Sequence, residues 1–185
     1  MPISTRNSIA VMAFVVVLVG CNARIPNNVT PDEYAVYSEW MKAYFSKSAP
    51  SNLYVGSRTF VFDPLSSSGC GNTLHANAGV PWSLIKQLHA LGEAEFRLAV
   101  YSPGTSLYIP WNYRVVDDWR LAPEQPGSYR LVSFSRVAFD HAHSQALFAF
   151  SDTCGGDCGH GGPIYAHKNK GARVFESVAG CVWHY

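Results

Sequence analysis

The run Ser133-Phe134-Ser135-Arg136-Val137-Ala138-Phe139, with Gln145-Ala146-Leu147-Phe148-Ala149-Phe150-Ser151 after a polar break, decides the fold. It lies in a last third where strand-like stretches alternate with turn signals: Tyr129 to Phe139, Ala146 to Ser151, Pro163 to His167, and Arg173 to Tyr185. Short turns between successive strands imply antiparallel neighbours, so the spacing predicts a four-stranded meander.

Working towards the N-terminus, helical signals take over. Thr30-Pro31-Asp32-Glu33 has the form of a capping box with Pro at the first helical position. Tyr34, Tyr37, Met41, Tyr44 and Phe45, joined by Val36 and Trp40, then repeat at helical spacing to about Lys47, as a core-facing stripe. Asn52 to Asp63, centred on Thr59-Phe60-Val61-Phe62, reads as a strand, and Ser66 to Asn72 as a loop carrying Cys70. Pro81 to Leu91 reads as a second helix with Trp82, Ile85, Leu88 and Leu91 on one side and Gly92 at its end. Further strands are expected at Phe96 to Tyr101 and, at a sheet edge because of Pro110, at Tyr108 to Val116. Asp117 to Leu121 reads as one helical turn, ended at Pro126-Gly127. The fold class is α+β: an N-terminal helix and a second helix packed on an antiparallel sheet that ends in the meander. The order of elements is similar to NTF2-like or cystatin-like domains, and carries no function with it.

The N-terminus reads as an address. After Arg6, the apolar run Ile9 to Val19 spans 11 residues and stops at Gly20-Cys21. At about 1.5 Å per residue it crosses roughly half of a hydrocarbon core of about 30 Å, which suits a removable signal better than a permanent span. Leu18-Val19-Gly20-Cys21 resembles the bacterial lipobox. That resemblance implies residues 1–20 as a signal peptide, Cys21 as the lipid-bearing first mature residue, 21–29 as a tether and 30–185 as one globular domain. It further implies a cell-envelope location, with Asn22 favouring the outer membrane in a Gram-negative host. Several acyl chains hold a protein stably where one does not.

Removing residues 1–20 takes away Arg6 and no acidic residue, so the remaining 165 residues carry 13 basic and 13 acidic side chains. A neutral domain without a basic stripe disfavours nucleic acid as partner. Aromatic residues make up 14% of the chain, which argues for a packed core against disorder. Once Cys21 is assigned to lipid, Cys70, Cys154, Cys158 and Cys181 remain, and four thiols in an oxidising envelope allow three pairings. Gly155-Gly156-Asp157 lets Cys154 reach Cys158 across a tight loop, which leaves Cys70 to pair with Cys181.

Ser133 to Asp140, Gln145-Ala146-Leu147 and Cys154-Gly155-Gly156-Asp157-Cys158-Gly159, with Trp183 near the end, resemble an uncharacterised group of secreted bacterial proteins. In that group an SRV-F strand leads to a QAL strand and a glycine-rich turn with two cysteines. The resemblance covers about the last 55 residues and implies a shared hairpin architecture with no catalytic residue. Lys168 to Arg173 departs from the pattern, which usually has a Trp after the Gly-Lys turn.

Candidate chemistry is sparse. Asp140, His141 and His143 sit in one expected turn, and Cys154, Asp157, Cys158 and His160 in another, roughly 20 Å apart along the intervening strand. Zinc ligands lie within about 2.3 Å of the ion, so the two groups cannot share one. Disulfide formation competes with any metal at Cys154, Cys158 and His160. Gly159-His160-Gly161-Gly162 is similar to the HGG-type oxyanion loop of esterases, but the chain has no G-x-S-x-G elbow, and glycines at a hairpin tip explain the motif equally. Asp117 and Asp118 are adjacent and so do not aim into one cleft. Cys70 with His75 is a formal nucleophile pair in a loop that reads as structural. No P-loop, dinucleotide fingerprint or H-E-x-x-H occurs, and no cofactor is expected. The expected function is a non-enzymatic, membrane-anchored envelope protein, binding or structural, whose domain binds another macromolecule or a small apolar ligand. The alternatives are a metal-binding protein or hydrolase using the Cys154 to His160 loop, and a carrier of small apolar ligands.

Overall fold

The computed structural model describes residues 29–66, 69–98, 107–116, 129–155 and 158–184. The expected signal, Cys21 and most of the expected tether, the helical turn expected at Asp117 to Leu121, and Asp157 therefore lie outside the described residues. Helix α1, Pro31–Tyr44, opens with the full capping box: Glu33 N–H donates to Thr30 Oγ1, and Glu33 Oε2 accepts from Thr30 N–H at 2.8 Å. Its stripe Tyr34, Val36, Tyr37, Trp40 and Met41 is buried.

Strand β1 is Leu53–Gly56, shorter than expected. Thr59 to Phe62 lies outside the named strands because Phe60 and Phe62 pack against the ring of Trp183, while Thr59 exchanges hydrogen bonds with Phe96. Helix α2, Cys70–Ala78, replaces the expected loop; its buried face is only Cys70, Gly71 and Leu74, too little periodicity to read. It ends at Gly79 with φ 63°, a conformation glycine adopts freely. Helix α3 is Trp82–Leu91, and its buried side is Leu84, Ile85, Leu88 and Leu91. Trp82 instead lies at the surface beside the His75 ring. Arg97 makes an isolated bridge to Arg58 where a strand was expected, and residues 99–106 lie outside the described residues.

The remaining strands are β2 (Tyr113–Val116), β3 (Arg130–Phe134), β4 (Ala138–Phe139), β5 (Gln145–Gly155), β6 (Cys158–Asn169), β7 (Ala172–Ser177) and β8 (Trp183–His184). They join β1 in one sheet of order β2-β1-β3-β5-β6-β7, with β4 on β5 and β8 on β6. The chain is a mixed α+β fold. The sheet departs from the expected antiparallel one because β1 runs parallel to both β2 and β3. Parallel neighbours require a crossover, and the chain between β1 and β2 supplies it with α2 and α3.

The sheet is covered on both sides. Ala146, Phe148 and Phe150 of β5 join the cluster built on α1, whereas Leu147 joins the cluster built on α2 and α3. A strand buried on both faces needs a continuous apolar run, which is what Ala146 to Phe150 is. Between β3 and β4 the chain leaves the ladder at Ser135-Arg136-Val137. There Tyr37 Oη donates to Ser135 O at 2.6 Å, and Arg136 turns to Glu33.

Candidate functional site

Both cysteine pairs are bridged: Cys70 to Cys181 and Cys154 to Cys158, with Cα separations of 5.4 and 5.3 Å. Cys154 and Cys158 thus offer no thiolate to a metal, and Cys70 offers none to His75. His75 Nδ1 lies 2.9 Å from Val80 O. Asp140 accepts from Ser144 Oγ at 2.6 Å and from Gln145 N–H at 2.7 Å, so it closes its own turn. Desolvation raises its pKa, but these hydrogen bonds outweigh that and hold it below the usual carboxylate range. His143 stacks on Phe139 and faces Asp32 at 3.1 Å. Asp140, His141 and His143 precede the start of the 11-residue β5, whereas Cys154 stands near its far end, about 30 Å along the strand, and His160 pairs with Asp152, about 23 Å along it. Among the described residues no three His, Cys, Asp or Glu side chains are placed to hold a metal ion.

Gly159 to Gly162 is not a hairpin tip. It lies within β6, where Gly161 pairs with Ser151 and Trp183. A Cβ on Gly161 would stand 2.5 Å from both Phe150 O and the Trp183 ring, so the glycine permits close packing rather than a turn. The esterase-like oxyanion loop is therefore absent from these residues.

What the structure assembles instead is a polar chain through Arg130, Asp152, Tyr44 and His160. Asp152 and His160 are cross-strand partners on β5 and β6. Asp152 follows Phe148 and Phe150 on the face covered by α1, and its side chain has no exposure. Arg130 of β3 donates to Asp152 Oδ2, and Tyr44 Oη, from the last turn of α1, donates to the same oxygen at 2.7 Å. With its one proton committed to Asp152, Tyr44 Oη is left as an acceptor for His160 Nε2, 3.0 Å away.

Burial, then the hydrogen bond to Asp152 and its charge, raise the Tyr44 pKa well above that of an ordinary phenol, against the opposing pull of Arg130. Desolvation lowers the Arg130 pKa, but its bond to Asp152 and the Asp152 charge more than offset this, and its net shift is upward. Tyr44 thus keeps its proton and serves as a hydrogen-bonding group between Asp152 and His160. Asp152 Oδ1 and Arg130 Nε are buried without a hydrogen-bond partner among the described residues.

Tyr44 also separates two clefts. The first, about 460 Å³, is lined by Tyr44, Lys47, Ser51, Asn52, Tyr129 and Arg130. The second, about 300 Å³, is lined by Trp40, Tyr44, Phe150, His160, Phe175 and Val182. Both fall in the size range of small-molecule sites. Of these residues, the sequence singled out His160 as a ligand candidate and placed Tyr44 in the core stripe. Arg130 and Asp152 were missed. The available signal was a carboxylate two residues beyond Phe150 in a strand whose alternate positions are buried.

Comparison with protein-family models, curated proteins and solved structures returned no match, so the site is interpreted on its own geometry.

Proposed function

We propose that the chain is a bacterial envelope lipoprotein whose domain, residues 30–185, is a non-enzymatic binding module working at the clefts beside Tyr44. In this proposal residues 1–20 are the export signal, Cys21 carries the lipid, and residues 21–29 tether the domain to a membrane. The observation that carries it is the use of the cysteines. Four of the five pair within the folded domain, so the thiol of the lipobox-like sequence is the one without a bridge partner. Two bridges in a small domain suit an oxidising compartment outside the cytoplasm. The likeness of Ser133 to Gly159 to secreted bacterial proteins supports the same address. Binding is favoured over hydrolysis because the carboxylate of the polar chain has no exposure and the phenol beside it is held protonated. The two helical layers over a sheet ending in antiparallel hairpins act as its rigid frame.

The test is Cys21→Ser in the bacterial host, followed by acyl labelling and membrane fractionation. Wild-type chain labelled and membrane-bound, with the variant unlabelled and released, is the expected result. An unlabelled wild-type chain would overturn the address. Ester or peptide turnover by the wild-type chain that Tyr44→Phe abolishes would replace binding with catalysis.

A further inference from the structure

We infer that the paired clefts take an anionic amphiphile, a small molecule with a carboxylate head in the Lys47/Arg130 cleft and an apolar tail in the Phe150/Val182 cleft. This deepens the binding proposal above and rests on it. The two clefts share Tyr44 but differ in chemistry.

The first is lined by two cations, Lys47 and Arg130, with Ser51 and Asn52 as neutral hydrogen-bonding groups and no carboxylate among its described lining residues. Asp152, wholly buried, pairs with Arg130 and offsets its charge, so Lys47 supplies the net positive charge of this cleft. Arg130 keeps side-chain exposure of 35%, and Lys47 is exposed. A ligand anion therefore meets positive charge at the mouth, and charge-assisted hydrogen bonds from these groups are the strong kind.

The second cleft has a floor of Trp40, Phe150 and Ile164, each buried, and sides of Phe175 and Val182. Val182 is 38% exposed, an apolar side chain at the rim with room above it. An alkyl tail laid there is removed from water, so affinity should rise with each CH₂ it buries. Tyr44 is common to both linings and is hydrogen-bonded to Asp152 and to His160. A ligand lying across it puts unlike ends on unlike linings; a purely polar or purely apolar ligand would use half the site.

The experiment is a titration of the full-length chain in phosphatidylcholine nanodiscs with octanoate, read by ligand-observed NMR against empty nanodiscs. If lipidation fails, the chain is titrated free in solution, so loss of the address and loss of the ligand site are told apart. Saturable octanoate binding is expected. Lys47→Glu should weaken it roughly tenfold, as for loss of one charge contact at the rim, and Val182→Asp should weaken it by a similar factor. Both side chains are exposed, and the near-UV spectrum of each variant checks its fold. Octanol and octyltrimethylammonium should bind more weakly than octanoate. Absence of octanoate binding, or octanoate binding indifferent to Lys47→Glu, overturns the inference. Equal affinity for octanol would assign the site to neutral apolar ligands and overturn the anionic head.

Discussion

Arg136 Nε donates to Glu33 Oε1 at 2.7 Å across 103 residues of sequence, with side chains only 3% and 2% exposed. Glu33 also accepts from Arg136 Nη2, from Val137 N–H and, within the capping box, from Thr30 N–H. One carboxylate therefore closes the first turn of α1 and docks that helix on the break between β3 and β4.

Removing the cation from this pair leaves a buried carboxylate uncompensated, which costs about 3–5 kcal/mol. Arg136→Met should lower the urea midpoint accordingly, and Glu33→Gln combined with Arg136→Met should recover part of the loss. A single-variant cost under about 1 kcal/mol would mean that the pair does not hold α1.

Stability should fall at high pH. Burial raises the pKa of Tyr37, with Glu33 adding to it, and burial with the Asp152 bond raises that of Tyr44. The folded chain then keeps protons that the unfolded chain releases near pH 10, so stability is level below that and declines above it. Ultraviolet titration should show these two phenols ionising only as the protein unfolds, and Tyr44→Phe should remove one of them.

The two bridges should contribute unequally. Cys70–Cys181 joins residues 111 apart and Cys154–Cys158 residues 4 apart. Chain entropy alone makes the long loop worth about 4–5 kcal/mol and the short one about 2. Thermal melts of the two paired Cys→Ser variants should rank in that order, and the reverse order would point to the hairpin bridge as the main staple.

Gly161→Ala should cost about 1–3 kcal/mol, the range for overpacking, because the new methyl meets backbone as well as the Trp183 ring. Loss of near-UV ellipticity from a displaced Trp183 would accompany it. Gly171→Ala, where a Cβ meets nothing within 4 Å but φ is +86°, tests backbone strain separately.

Local pattern located what was locally determined. The capping box of α1, its aromatic stripe, and the start and glycine stop of α3 are short-range signals and appear in the structure at those residues. Glycine and cysteine spacing misplaced the turn between β5 and β6, because Gly159 to Gly162 has turn composition yet lies in β6. Gly161 and Gly162 answer to Trp183 and Val182, 22 and 20 residues on. α2 escaped notice since three buried positions in nine residues make no helical stripe.

The sequence by itself determined the mixed α+β class, the buried identity of β5, and the supply of four cysteines for two bridges. Its first twenty-one residues also carry the address proposed above. Only the tertiary structure decided that β1 runs parallel to its neighbours, that α1 and α3 cover opposite faces, and that Arg130, Asp152, Tyr44 and His160 meet. The reason is range. Helix caps and alternation act within a few residues, whereas the polar chain joins positions up to 116 apart and exists only once strands pair.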